Sequence, residues 1–246
     1  MMNHRYFYLT CFTFFMFFIQ TQIDQELWCK SHIVKGITTT HKVIALTFDD
    51  GPHVKATAKI LDILREKHIH ATFFILGENI DHSPKLLSQE LKDGHEIGNH
   101  GYSHKYLNQL SEKDVKQEIT KTEKLIMKTT PKAPKPGVFR PPGGLYDKKV
   151  VETALSLGYT TILWTIDPRD WAHTSTQKIV NSVLDKAKPG SIILLHDGLF
   201  PLSTPEAIQY IIDNLQKQGY EFVTVSELLQ LSEQDEVKHS YHMYDW

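Results

Sequence analysis

Cysteine is scarce in this chain of 246 residues, which contains only Cys11 and Cys29. Cys11 lies in an apolar run near the N-terminus, so a domain that begins after this run holds Cys29 as its single thiol. A single thiol excludes an internal disulfide from that domain. The stability of the domain therefore has to come from a buried hydrophobic core, which a chain of this length is large enough to form.

The chain also lacks an excess of positive or negative charge. Lys and Arg together number 27 and Asp and Glu number 29, which gives a formal net charge of −2. No block of basic residues stands out, and proteins that bind nucleic acid normally carry one, so we expect no nucleic-acid partner. The sequence also lacks a glycine-rich phosphate loop, which argues against a metallophosphatase.

A long membrane-spanning run is missing, but a shorter apolar run is present. Residues 6–19 are uncharged and mostly apolar, and they follow Arg5. The run is too short for a span of about 20 residues, but it suits the apolar region of a secretory signal. No small-x-small cleavage site follows Ile19, so an uncleaved anchor is the alternative. We expect residues 1–24 to be a signal peptide or membrane anchor and the protein to be secreted or held at the cell surface.

From residue 42 onward, strand-like apolar segments alternate with segments whose apolar residues have helical spacing. The predicted strands cover 43–48, 71–76, 96–99, 138–140, 160–165, 191–195 and 221–225, and the predicted helices cover 57–67, 84–91, 111–127, 147–157, 177–187, 205–217 and 226–231. This alternation implies a parallel sheet with helices outside it. About seven or eight such units favour a (β/α) barrel over an open sheet. We assign residues 42–231 to this domain, 25–41 to an N-terminal extension and 232–246 to a C-terminal tail.

Two adjacent carboxylates, Asp49 and Asp50, end the first predicted strand, and Gly51 and Pro52 then turn the chain. Side chains alternate between the two faces of a strand, so consecutive acids cannot both point into a core. Barrels and other α/β proteins place their chemistry at such strand ends. The acid pair is therefore a candidate for chemistry rather than for packing.

Two histidines, His100 and His104, follow the predicted strand at 96–99. If this segment is helical, the i, i+4 spacing puts both imidazoles on one face, and the same spacing is found in zinc sites. Alone, such a pair also arises by chance on surfaces. One acid with two histidines forms an incomplete metal shell with room for water, and the second acid is left for proton transfer.

Three later strands are also followed by polar side chains. Arg140 precedes a Pro-Pro-Gly-Gly stretch, Asp170 and Trp171 follow the strand at 160–165, and His196 ends the strand at 191–195. Each has an ordinary structural explanation: a surface arginine at a tight turn, a helix cap beside a core aromatic, and a histidine hydrogen-bonded at a turn. A histidine at a strand end is also a candidate acid or base.

In chain order, these side chains are the acid pair, the histidine pair, the arginine, the acid with its tryptophan and the last histidine. This array resembles that of the polysaccharide deacetylases of carbohydrate esterase family 4, the NodB-homology domain. The resemblance runs from about residue 42 to 229, and the first motif, residues 47–52, matches the family pattern fully. It implies a distorted (β/α) barrel with seven or eight parallel strands, which agrees with the alternation of strands and helices.

The resemblance also implies a metal site and a base. Asp50, His100 and His104 would hold a divalent metal, with Zn²⁺ expected first and Co²⁺ as the alternative. Asp49 would be the general base that takes a proton from water, and Arg140 would pair with Asp49 and keep it ionised. These roles agree with the chemistry, because a metal ion lowers the pKa of bound water and polarises an amide oxygen.

The remaining roles concern the acid and the pocket. Asp170 would orient and charge His196, the general acid that protonates the leaving amine. Trp171 and Leu194 would wall the pocket for the acetyl methyl group, and Gly143 would donate a backbone N–H to the oxyanion. An amine leaves poorly unless it is protonated, so a cationic histidine opposite the base fits amide hydrolysis.

Two positions depart from the family motifs. Gly101 stands where a Ser or Thr is usual, although Ser103 keeps the second hydroxyl, so the histidine loop is expected to lose a supporting hydrogen bond. Gly143 stands where the family often has Tyr, so side-chain contacts to the sugar are in doubt there. Neither departure removes a catalytic group.

We therefore expect an exported, metal-dependent hydrolase that removes N-acetyl groups from a glucosamine-containing polysaccharide. Peptidoglycan is the first choice of substrate, and chitin oligomers or poly-N-acetylglucosamine come next. The alternatives are an O-acetyl xylan esterase, because the same site can cleave esters, and a catalytically silent glycan-binding protein. We expect a monomer, and the N-terminus offers a means of membrane attachment.

Overall fold

The computed structural model describes residue 23 and residues 25–232. The predicted signal or anchor and the predicted tail therefore lie outside the described residues, except at residues 23 and 232. Within the part of the chain that is described, no helix combines the length and the apolarity needed to cross a membrane.

The described strands form one parallel sheet of eight. They are β1 (Ile33–Val34), β2 (Val43–Asp49), β3 (Thr72–Ile75), β4 (Glu96–Asn99), β5 (Val138–Phe139), β6 (Thr160–Ile162), β7 (Ser191–His196) and β8 (Glu221–Val223). Their order is β1-β6-β5-β4-β3-β2-β7, and β8 pairs with the first half of β2. The predicted α/β class and its parallel strands are confirmed.

Helices cover the outside of this sheet. They are α1 (Ala56–Lys67), α2 (Gly77–Ile80), α3 (Pro84–Lys92), α4 (Glu112–Thr129), α5 (Lys148–Ser156), α6 (Thr176–Leu184) and α7 (Thr204–Lys217), and further helical stretches cover 25–31 and 225–232. Each predicted helix is present within a few residues of its expected ends. The two-residue β1 and the short α2 were not predicted, because such brief segments show no periodicity.

The sheet curls into a distorted barrel that is incompletely paired. Its two ends meet where an isolated parallel bridge joins Ile166 to Ile193 and an antiparallel bridge joins Gly36 to Ser191. The strand predicted over 160–165 ends at Ile162. Beyond it, Ile166 forms only the isolated bridge to Ile193, so the regular pairing of the sheet is interrupted there.

The centre of the core is β2, whose seven residues are all buried. Burial on both faces is expected for a parallel strand that lies between the barrel interior and outer helices. Leu46, Phe48 and Phe73 pack in the largest apolar cluster with Ile60 and Leu64 of α1. The carboxyl ends of β2, β4, β5 and β7 are thereby fixed close to one another at one end of the barrel.

One buried acid conflicts with this apolar packing. Glu90 of α3 is 0% exposed, and neither carboxylate oxygen has a hydrogen-bond partner. Burial raises the pKa of Glu90 well above its ordinary value, and the charge of Asp197 adds to the shift. At neutral pH Glu90 ionises readily in the unfolded state but not in the folded state, so it lowers the free energy of unfolding. This loss of stability disappears in acid, where Glu90 is protonated in both states.

We expect Glu90→Met to raise the free energy of unfolding by roughly 1–3 kcal/mol at pH 7, because an unpaired polar group is replaced by an apolar one of similar shape. The gain should shrink near pH 4. Urea unfolding at both pH values measures it, with Lys85→Met at an exposed position of α3 as the control. A loss of stability at pH 7 would contradict this account of Glu90.

Candidate metal and catalytic site

The strand register brings the predicted site residues together at one end of the barrel. Asp49 lies directly opposite His196 in the β2–β7 pairing, and Arg140 follows β5, whose Phe139 pairs with Asn99 of β4. A cavity of about 350 Å³ opens at this end. Its lining residues are Asp49, Asp50, His100, His104, Tyr106, Gly143, Trp164, Asp167, Trp171, Leu194, His196 and Leu199.

Asp50, His100 and His104 converge on one point. Oδ1 of Asp50 lies 3.4 Å from Nε2 of His100 and 3.4 Å from Nε2 of His104. The two histidines are not on a helix, so the condition under which their spacing would put both on one helix face is not met. They lie in a loop in which His104 has φ 54°, and this left-handed turn brings its ring back toward His100.

The donor set of these three residues fits a divalent cation. Among the described residues, these three form the one group of at least three His, Cys, Asp or Glu side chains whose ligand atoms all lie within 4.8 Å of one another. Oδ1 of Asp50 is buried without a hydrogen-bond partner. Nδ1 of His100 donates to the carbonyl oxygen of Arg140 at 2.8 Å, which leaves the lone pair of Nε2 directed at Asp50.

The charges at this group also favour a cation. Burial raises the pKa of Asp50, but the neighbouring His100 and His104 outweigh it and lower the pKa to about 2, so the carboxylate is ionised. Burial lowers the pKa of His104 and keeps that ring neutral. Burial also opposes the charged form of His100, yet Asp49 and Asp50 raise its pKa, so protons compete with a metal for Nε2 as the pH falls.

The loop that carries the histidines is held by Glu118 of α4, which sequence reasoning missed. Its Oε2 accepts the backbone N–H groups of Tyr102 and Ser103 at 2.9 and 2.8 Å, and its Oε1 accepts the Ser103 hydroxyl at 2.9 Å. Thr122 also donates to the carbonyl of Gly101. These bonds hold the loop although Gly101 lacks a hydroxyl. The role of Glu118 could not be predicted from the sequence, because a glutamate on a helix usually lies at the surface.

Asp49 is paired with a fully buried arginine. Nη1 of Arg140 donates to Oδ1 of Asp49 at 2.6 Å and to the Thr47 hydroxyl at 2.8 Å, and Nη2 donates to the carbonyl of Leu163 at 3.1 Å. The guanidinium also lies 4.0 Å above the ring of Phe74. The arginine is therefore not at the surface, which was its alternative interpretation.

His196 is held in place by hydrogen bonds to Asp170, which is 0% exposed. Oδ1 of Asp170 accepts from Nδ1 of His196 at 2.8 Å, and Oδ2 accepts the backbone N–H of His196 and the hydroxyl of Thr204. Burial lowers the pKa of His196, but the hydrogen bond and charge of Asp170 outweigh it and raise the pKa to about 9. His196 is thus a cation at neutral pH.

The three residues predicted to contact substrate, Gly143, Trp171 and Leu194, all line the cavity. Gly143 has φ 64°, and a Cβ added there would lie 3.2 Å from the ring of Tyr106. An aromatic ring from the histidine loop therefore lies beside the position where the family often has Tyr. Tyr106, Trp164, Asp167 and Leu199 were not predicted, because they become neighbours only through the packing of loops.

The fold and this cavity define a class: α/β barrels whose strand ends hold a carboxylate–histidine metal group between a base candidate and an acid candidate, as in hydrolases that activate water. The roles of the individual residues are still predictions at this point.

Comparison with known proteins identifies the family. The family model for polysaccharide deacetylases matches residues 36–162. A peptidoglycan-N-acetylglucosamine deacetylase of Bacillus cereus is 43% identical over 210 residues, covering 84% of this chain and 97% of the relative. A chitooligosaccharide deacetylase of Bradyrhizobium is 34% identical over 205 residues, covering 78% of this chain and 93% of the relative.

The solved structure of the peptidoglycan deacetylase PdaC from Bacillus subtilis aligns with a TM-score of 0.76 at 37% identity, covering 84% of this chain and 98% of that chain. The chain belongs to the polysaccharide deacetylase family, carbohydrate esterase family 4, and the relatives named above are deacetylases, which are hydrolases that act on amide bonds. The predicted family and enzyme class are confirmed.

The role of Glu118 is testable through metal affinity. We expect Glu118→Gln to weaken binding of Zn²⁺ by about 10–100-fold, because partners that orient metal ligands have effects of that size. Calorimetric titration of the metal-free protein measures the change, and Glu112→Gln at an exposed position of the same helix is the control. Unchanged affinity in Glu118→Gln would contradict the supporting role.

Proposed function

We propose that this protein is a metal-dependent N-deacetylase of a glucosamine-containing polysaccharide, with peptidoglycan as the first substrate. The observation that carries the proposal is that Asp49 and His196, register partners on the neighbouring strands β2 and β7, line one cavity, each with a buried partner of opposite charge. Such a pair supplies a base and an acid on two sides of a single scissile bond.

The cation at Asp50, His100 and His104, proposed to be Zn²⁺, would supply Lewis acidity that lowers the pKa of water and polarises the acetyl oxygen. Of the two donor types in this group, imidazole suits zinc well, and a carboxylate completes a three-residue set of the kind that catalytic zinc sites use.

Asp49 is proposed to accept the proton of the attacking water. Arg140 occupies Oδ1, so the other oxygen, Oδ2, is the one available to the cavity, and it lies 3.7 Å from Nε2 of His100. As the water oxygen adds to the acetyl carbonyl carbon, its proton passes to Oδ2. The buried Arg140 holds Asp49 in place during this step.

His196 is proposed to complete the reaction. Asp170 accepts from Nδ1, so the proton on Nε2 is the one that is free to move to the leaving nitrogen. The C–N bond then breaks, and the products are acetate and a glycan with a free amine. Trp171 and Leu194 wall the space for the acetyl methyl group, and the backbone N–H of Gly143 is the proposed oxyanion donor.

The substrate and location follow from the relatives and the N-terminus. Relatives named for peptidoglycan and for chitooligosaccharides both act on N-acetylated glucosamine units, which supports this sugar in the site. We propose export through residues 1–24, with the deacetylase domain at 42–231, because a wall polymer lies outside the cell membrane. A glycan-binding protein without activity is disfavoured, since both proton-transfer residues and their partners are in place.

The proposal is tested by acetate release from N-acetylglucosamine oligomers, purified peptidoglycan and acetylated xylan, each with added Zn²⁺ or Co²⁺ and with chelator. We expect chelator-sensitive release of acetate together with new free amines from a glucosamine polymer. Release from xylan alone would make the protein an ester hydrolase, and no release from any of the three would contradict the deacetylase proposal.

We expect Asp49→Asn to lower kcat by about 10²–10⁴-fold, the usual contribution of a positioned general base, while the bound metal stays unchanged. Steady-state kinetics and metal analysis of the same preparation measure both quantities, with the exposed Asp81→Asn as the control. Full activity in Asp49→Asn would rule out this residue as the base.

The charge of Asp170 sets a pH dependence. His196 must be protonated to act as an acid, so activity should fall as the pH rises through its pKa of about 9. Asp170→Asn removes the charge that raises this pKa, and we expect the alkaline limb of kcat to move down by roughly 1–3 pH units. A limb that stays in place in the pH–rate profile would show that His196 is not the acid.

A further inference from the structure

Three cations lie against aromatic rings that line the catalytic cavity or follow a residue that lines it, and they have no role in the proposed reaction. They are Arg169, which follows β6, and Lys55 and Lys59 at the start of α1; all three are exposed, and we call them the cationic rim. Within the described residues none of the three pairs with a carboxylate. Their clustering does not reflect a basic protein, because the chain as a whole has a net charge of −2.

Each of these cations rests on an aromatic ring at the cavity edge. The guanidinium of Arg169 lies 5.1 Å from the ring centre of Trp171, and the ammonium groups of Lys55 and Lys59 lie 5.4 and 5.0 Å from that of Phe200. Contacts of this kind hold a cation in place without neutralising its charge. The rim therefore presents fixed positive charge to an incoming ligand.

The rim is continuous with the catalytic cavity. Trp171 lines the cavity directly, and Phe200 follows Leu199, which lines it as well. Leu199 and Trp171 are 57% and 44% exposed, so the part of the cavity lining next to these cations includes open apolar surface. A polymer that places one sugar in the cavity has neighbouring units that extend beyond its lining, and the cationic rim lies next to part of that lining.

Given the proposed function, on which this inference rests, the candidate polymers differ in charge. Chitin oligomers carry no carboxylates, whereas every second sugar of peptidoglycan bears a lactyl arm that carries a carboxylate, either its own or those of the attached peptide. We infer that the cationic rim binds carboxylates on the lactyl arm of the sugar next to the cleaved acetamide, and so favours peptidoglycan over neutral glucosamine polymers.

The test compares the variant Lys55→Gln/Lys59→Gln with Lys124→Gln/Lys128→Gln. The control pair has the same i, i+4 spacing and the same charge change, and it lies at exposed positions of α4, none of whose residues lines the cavity. The substrates are peptide-bearing glycan fragments, the same fragments stripped of peptide by an amidase, and N-acetylglucosamine oligomers of equal length. Thermal unfolding checks that both variants are folded.

We expect Lys55→Gln/Lys59→Gln to lower kcat/KM on peptide-bearing fragments by about fivefold, in the range of two exposed charge contacts, with less effect at high salt. Turnover of the neutral oligomers should change by less than about twofold, as should every activity of the control pair. A loss confined to peptide-bearing fragments identifies peptide carboxylates, and a loss that persists on stripped fragments identifies the lactyl carboxylate.

Equal losses on charged and neutral substrates, equal losses in the control pair, or no loss at all would overturn the inference. Equilibrium binding of peptide-bearing fragments to the same proteins is measured in parallel. If the unmodified protein releases no acetate from any substrate, the proposed function fails. The binding comparison between the two variant pairs then still supports or overturns the cationic rim as a carboxylate site.

Discussion

The buried ion pair between Arg140 and Asp49 is the interaction on which the rest of the site depends. A guanidinium that is 0% exposed is tolerated only because its donors are satisfied by Asp49, Thr47 and backbone carbonyls after β6. Removing either partner would leave an uncompensated charge in the barrel, which typically costs about 3–5 kcal/mol. The pair therefore ties the ends of β2, β5 and β6 together and fixes one oxygen of Asp49, the proposed base.

A second buried carboxylate at this end of the barrel, Asp170, has a different effect on its partner. Asp170 is as deeply buried as Asp49, yet its partner is a histidine, whose pKa it raises to about 9. In the proposed mechanism, one carboxylate serves as the base while the other maintains the acid. The proposal thus gives two acids two functions because the groups that neutralise them differ, which is a general way in which an active site runs acid and base chemistry at one pH.

Sequence reasoning predicted the alternation of strands and helices because β2 and its neighbours are long enough to show a period. It also predicted the residues that now line the cavity at strand ends, from Asp49 to His196. The spacing of His100 and His104 left open whether they lie on a helix, since spacing alone does not distinguish a helix from the left-handed turn that brings them together. Glu118 and Tyr106 were missed because their contacts depend on how loops pack, which no local pattern encodes.

The most direct test of this account titrates metal-free protein with Zn²⁺ and follows acetate release from an N-acetylglucosamine oligomer. One metal group of Asp50, His100 and His104 serves one base and one acid, so release should rise in proportion to added metal and level off at one equivalent per chain. Acetate release without metal, or a metal-loaded protein that releases none, would contradict the central claim that these residues form a single catalytic site.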